Sequence, residues 1–141
     1  MKHLKLFILV ACISFLAKIA NAQVMELSER QLFEKVCRGY KHDIKYVGDK
    51  PCVLLFHNGT CPFAKRVGNM LETLSRKYKG NIYFYKVNVW YLSDTTLENF
   101  NFEGVPQTYF FRTDGYATYD LGMLDMDDLE EGVEYLLEVW N

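Results

Sequence analysis

Residues 52–79 join two patterns that must fold beside each other. Cys52-Val53-Leu54-Leu55-Phe56 is an unbroken apolar run bounded by Pro51 on one side and Asn58-Gly59 on the other. So short a run between turn residues predicts a strand buried on both faces. From Pro62 to about Lys79, Val67, Met70, Leu71, Leu74 and Tyr78 recur at helical spacing, and Gly80-Asn81 ends the pattern. A strand with two apolar faces needs a covering layer on each side, and the helix that follows it supplies only one.

The rest of the chain supplies the other. Ser28 can cap a helix through about Arg38, with Leu32, Phe33 and Val36 on one face and Glu29, Arg30 and Glu34 facing water. Ile82 to Val89 is rich in aromatic and β-branched residues and predicts a second strand. Ser93 can cap a short helix to about Phe100. Thr108 to Phe111 and Ala117 to Leu121 flank Thr113-Asp114-Gly115, a hairpin signal. Asp125 opens a last helix whose Leu129, Val133, Leu136, Leu137 and Trp140 form one stripe. Tyr40 to Lys50 is mixed and polar, a connection with at most a short element. β/α units followed by a hairpin and a closing helix predict an α/β domain, a mixed central sheet with helices on both faces.

The first 22 residues read as an address. Lys2 and Lys5 precede a nearly unbroken apolar stretch from Leu6 to Ala17, and Ala20-Asn21-Ala22 has small residues at both outer positions. These are the charged region, apolar region and cleavage site of a secretory signal peptide. Leu9-Val10-Ala11-Cys12 resembles a bacterial lipoprotein box, but the apolar run before Cys12 is short and continues past it. The expectation is therefore cleavage after Ala22 and export to the periplasm of a Gram-negative bacterium, with no membrane attachment afterwards. Removing residues 1–22 takes three lysines, leaving 13 basic against 18 acidic residues, a net charge of −5 on one domain spanning 23–141. That balance disfavours nucleic acid and anionic membrane surfaces as partners. No Gly-rich phosphate loop is present, and Cys37, Cys52, Cys61, His42 and His57 lack metal-ligand spacing, so neither cofactor nor metal is expected.

An exported domain with three cysteines leaves at least one unpaired thiol in a monomer. Cys61 falls at the cap of the helix that begins with Pro62, a residue suited to the first helical position. Unpaired N–H groups and the helix dipole favour a thiolate there. Lys65 and Arg66 add positive charge in the first turn, and His57 at the strand end is a candidate modulator of the thiolate. The plainer reading makes Cys61 a small buried cap, although cysteine caps poorly compared with serine or aspartate.

At this point the sequence resembles the thioredoxin family. The match lies in the apolar strand ending at Phe56, five residues before Cys61, and in the long helix after it. It continues through Lys86-Val87-Asn88-Val89, Gly104-Val105-Pro106 and Gly122, covering about Val24 to Trp140. The resemblance implies a thioredoxin-like three-layer sandwich with Cys61 as the reactive thiol. It further implies that Pro106 is a cis-proline facing that thiol, and that Val105 and Pro106 bind the backbone of an extended substrate. Protein or small-molecule thiols and disulfides are the implied partners.

The sequence also departs from that family. Cys61-Pro62-Phe63-Ala64 stands where C-x-x-C is usual, so Ala64 replaces the resolving cysteine. Leu55 replaces a buried aspartate, Asn69 a helix-kinking proline and His57 a tryptophan. C-P-F-A is similar to the C-G-F-S of monothiol glutaredoxins, with Phe63 at the same place. Three outcomes follow: a monothiol resolved by a second molecule, resolution by Cys37 or Cys52, or a redox-inactive module that binds a peptide in the same groove. Cys52 lies most of a strand length from Cys61, too far for direct pairing. Cys37 and Cys52 are instead a candidate structural disulfide, worth ~2–4 kcal/mol if formed. Trp90, Tyr91 and Phe102 either rim the groove or pack in the core.

Overall fold

The computed structural model describes residues 23–39 and 44–141. The expected signal peptide, with Cys12 and its cleavage site, lies outside them, as does His42. In chain order the elements are β1 (Met25–Leu27), α1 (Glu29–Lys35), β2 (Cys37–Arg38), β3 (Lys45–Tyr46), β4 (Cys52–His57) and α2 (Pro62–Lys77). They continue with β5 (Tyr83–Asn88), a 3-10 turn (Val89–Tyr91), α3 (Asp94–Asn99), β6 (Gln107–Phe111), β7 (Ala117–Leu121) and α4 (Met126–Trp140).

The apolar run that had to be covered twice is the centre of the sheet. Five strands lie in the order β1-β5-β4-β6-β7. β1 and β4 run parallel to β5, while β6 runs antiparallel to both β4 and β7. Alternation along β4 divides its side chains between two cores. Cys52, Leu54 and Phe56 join Leu32 of α1, Val36 just beyond it, and Phe100. Val53 and Leu55 join Val67, Leu71 and Leu74 of α2 and Leu129, Val133 and Leu136 of α4. The mixed sheet with helices on both faces is thus as the patterns predict. Phe56 is fully buried, with the rings of Phe100, Phe102 and Tyr109 at 5.2, 5.8 and 5.6 Å, so Phe102 belongs to the core.

Helix boundaries follow local chemistry. Ser28 and Gln31 form a reciprocal capping box at α1, and Asp125 and Asp128 form another at α4. Ser93 caps α3. Gly80, at φ +84°, turns the chain beyond α2 in a conformation other residues resist. α1 ends three residues short of the predicted Arg38. Val36 instead accepts a hydrogen bond from the Val47 amide at 2.9 Å, and Cys37–Arg38 pairs antiparallel with Lys45–Tyr46. This ribbon and the three-residue β1 are the elements that periodicity did not reveal, because two or three residues carry no period. β7 differs from the other strands in having all five residues exposed.

Candidate functional site

Cys61 stands beyond the carboxyl end of β4, where the chain reverses into α2. Asn58 builds that turn. Its Oδ1 accepts the backbone N–H of Thr60 at 3.0 Å and of Cys61 at 2.8 Å, and the Thr60 hydroxyl at 3.3 Å. Gly59 sits at φ +79°, the left-handed conformation that the turn requires. His57 braces the same turn: its Nδ1 accepts the Gly59 N–H at 3.1 Å, and its Nε2 lies 2.7 Å from Glu26 Oε1 on β1. That pairing assigns the proton to Nε2. With both ring nitrogens engaged, His57 ties strand to turn and has none left to offer the thiol.

Pro62 is the first residue of α2 and Cys61 its N-cap, with an extended backbone and no side-chain capping bond. The half-buried Cys61 thiol instead points across the sheet end, its Sγ 4.0 Å from the carbonyl oxygen of Val105. The Val105–Pro106 peptide is cis. Two contacts hold this segment against the sheet. The Gly122 amide donates to the Pro106 carbonyl at 2.8 Å. Gln107, fully buried, accepts the Glu103 N–H at 2.9 Å and donates to the Asn101 carbonyl at 3.3 Å and the Tyr109 hydroxyl at 3.1 Å. A buried amide with three partners fixes the loop before Pro106, as a partly satisfied one would not.

The other two thiols are elsewhere. Cys37 and Cys52 are free and buried, so the bridge expected between them is not made in the structure. Both lie in the core beneath α1, on the opposite face from Leu55, and Cys52 occupies the far end of β4 from Cys61. The Tyr46 hydroxyl, in the same core, donates to the Lys50 carbonyl at 2.5 Å. Burial pushes the Cys37 thiol up to about 12 and raises that of Cys52 as well.

Beside Cys61 a cleft of about 340 Å³ runs between α2 and the end of the sheet. Leu55, Ala64, Lys65, Asn69, Glu72 and Lys86 line it together with Cys61. Leu55 and Ala64, where the family keeps an aspartate and a second cysteine, are both buried. Around the same end of the sheet Phe63, Trp90 and Tyr91 are exposed by 54%, 74% and 79%. Among the described residues no cluster of His, Cys, Asp and Glu is arranged to hold a metal, and no helix is long and apolar enough to cross a membrane.

The structure therefore brings Cys61, Pro62, Lys65, Val105 and Pro106 to one end of the sheet, and leaves Cys37 and Cys52 at the other. Asn58, Glu26 and Gln107 are site-building residues that sequence reasoning missed. Asn58 was visible as half of an Asn-Gly turn signal, but its three-donor role depends on the fold; Glu26 and Gln107 carry no local pattern at all.

A family model described as thioredoxin matches residues 32–135. A thioredoxin of Borreliella burgdorferi is 30% identical over 108 residues, covering 75% of this chain and 91% of that protein. Among solved structures, chloroplastic thioredoxin z superposes with a TM-score of 0.67 at 18% identity, covering 81% of this chain and 94% of that one. At that identity the superposition speaks for the fold, while the first two matches speak for descent. The chain belongs to the thioredoxin family.

Proposed function

We propose that this protein is an exported, single-cysteine thiol–disulfide exchange protein of a bacterial envelope, with Cys61 as its nucleophile. The observation that carries the reading is the placement of the Cys61 thiol, half-buried at the start of α2 and 4.0 Å from the Val105 carbonyl, while the other described cysteines are buried. Unpaired N–H groups at a helix start favour an anion at that position. Cys61 attacks one sulfur of a disulfide, forming a mixed disulfide and releasing the other sulfur as a thiolate. Val105 and Pro106 lie where the backbone of an extended peptide would pair as an added strand. Lys65, in the first turn of α2, adds positive charge beside the reacting sulfur. Export rests on the N-terminal pattern of residues 1–22.

Ala64 and Leu55 support a second reading, a module that binds a partner at the same groove without turnover. One experiment separates them. Cys61→Ser abolishes mixed-disulfide trapping while preserving the melting temperature if Cys61 is the nucleophile. Trapping that persists in the variant, or a partner that binds wild type and variant equally with no covalent adduct in either, refutes the exchange reading.

A further inference from the structure

A monothiol that forms a mixed disulfide stays blocked until a second thiol releases it, and the described chain holds no candidate. Cys52 opens β4 and Cys61 lies beyond its end; five residue steps of strand alone span ~17 Å, against the ~7 Å between Cα atoms that a disulfide tolerates. Cys37 is buried on the same far side. The resolving sulfur has to arrive from another molecule, and the site has an opening beside Cys61 for one of a particular size and charge.

We infer that the cleft between α2 and the sheet end is a binding site for a low-molecular-mass thiol of the amino-acid type, which resolves the Cys61 mixed disulfide. Its volume of about 340 Å³ is at the small end of ligand pockets and too small for a folded partner. Its lining is built for a zwitterion. Lys65 comes from α2 and Lys86 from β5, and Lys65 makes no ion pair among the described residues. Lys86 is held only loosely, 3.7 Å from Glu26 Oε2. A carboxylate entering between them meets two cations. Glu72, farther along α2, accepts the Val24 amide on Oε2 at 3.3 Å and has its other oxygen to meet an ammonium group, and Asn69 is a neutral polar neighbour. Leu55 and Ala64 supply apolar walls. The two departures from the family thus act together: the substitutions that remove the internal resolving chemistry line the space through which an external thiol comes. The step balances as one exchange: the incoming thiolate attacks the substrate sulfur of the mixed disulfide, the Cys61–sulfur bond breaks, and Cys61 leaves as the thiolate. The product is a disulfide between the small thiol and the former substrate, and no other oxidant or reductant takes part.

The inference rests on Cys61 being the nucleophile, and the test keeps the two apart. The full mature protein is first treated with methyl methanethiosulfonate, which places an uncharged methylthio group on Cys61 with methanesulfinate as the leaving group; mass spectrometry locates it. If no adduct forms on Cys61, the exchange reading itself fails, and the cleft proposal with it. With the adduct in hand, return of the free Cys61 thiol is followed by mass spectrometry of acid-quenched samples against increasing L-cysteine, cysteamine and 2-mercaptoethanol, each rate divided by that for a small-molecule methyl disulfide. The expected result is a cysteine rate that saturates and exceeds both others after normalisation. Lys65→Met and Lys86→Met should each cut that advantage about three- to fivefold. Gly68→Leu, whose side chain would enter the cleft near Leu55, should cut it further while cysteamine and 2-mercaptoethanol change in parallel with each other. Rates that stay linear in every thiol and keep the order of the reference disulfide overturn the proposal, as does a cysteine advantage that survives both lysine substitutions. Circular dichroism of each variant establishes that it is folded.

Discussion

Replacing Asn58 with alanine removes one oxygen on which three donors converge. Its Thr60 hydroxyl partner, at 3.3 Å, belongs to an exposed residue and finds water in the variant. The two backbone bonds matter more: Thr60 N–H at 3.0 Å and Cys61 N–H at 2.8 Å. A net hydrogen bond contributes about 0.5–1.5 kcal/mol, and the half-buried Cys61 amide is the costlier one to strand, so the total loss is about 1.5–2.5 kcal/mol. For a domain of this size that lowers Tm by about 5–12 °C. Asn58→Asp is the informative companion. It retains an acceptor for all three donors and places a negative charge at the head of α2, so it melts close to wild type. The same charge stands beside the sulfur and slows its reaction with iodoacetamide. The assays are thermal melts by circular dichroism and alkylation rates followed by mass spectrometry. An alanine variant melting within ~1 °C of wild type would show that Asn58 does not hold the turn. An aspartate variant melting as low as the alanine one would show that the acceptor geometry has been misread.

Alkylation mapped to each cysteine near pH 8 should label Cys61 in the native protein and reach Cys37 and Cys52 only after unfolding. Burial pushes Cys37 up to about 12 and raises Cys52, leaving neither thiolate nor access; native labelling of either at the Cys61 rate contradicts the packing. Glu29 links α1 to the start of α3 through the Ser93 hydroxyl at 2.6 Å, the Thr96 hydroxyl and the Ser93 amide, and these bonds hold its carboxyl below the usual 4.5. A depressed folded value means stability present above that ordinary value and lost as pH falls through the folded one. The Tm gap between wild type and Glu29→Ala should therefore be widest at neutral pH and close on acidification, and a pH-independent gap counts against the carboxylate. Thr108 is fully buried and its hydroxyl has no hydrogen-bond partner among the described residues. Thr108→Val keeps the shape and removes the orphan, so chemical denaturation should find the variant about 1 kcal/mol more stable, and a loss of stability would reveal a partner for that hydroxyl.

What could be read in advance depended on whether a residue's role repeats along the chain. Leu54 and Leu55 declared their burial because the whole run is apolar, and Val67, Leu71 and Leu74 because they recur with the helix. Ser28, Ser93 and Asp125 were legible as caps because capping is a property of three or four adjacent residues. The position of Cys61 followed from the same local logic, since a strand, an Asn-Gly turn and a proline leave it one place to be. Glu26 and Gln107 were not legible. Glu26 meets His57 from 31 positions away, and Gln107 looks like any polar strand residue until the sheet buries it. Cys37 and Cys52 show the other limit: both belong to one core, yet sequence spacing cannot tell neighbouring thiols from bonded ones. The family resemblance placed Val105 and Pro106 near Cys61, where composition and periodicity said nothing.

All five residues of β7 are exposed, yet its end is fastened to Pro106 through the Gly122 amide. Exposed positions away from special contacts usually tolerate substitution within ±0.5 kcal/mol, a rule of thumb that covers most of this strand. The consequence is evolutionary. Thr118, Asp120 and Leu121 can drift in charge and size while the two cores and the Cys61 turn remain unchanged. A lineage can thus alter the charge and shape of this sheet edge without a compensating mutation in the interior. The same strand is where a combinatorial library would lose the fewest members to unfolding.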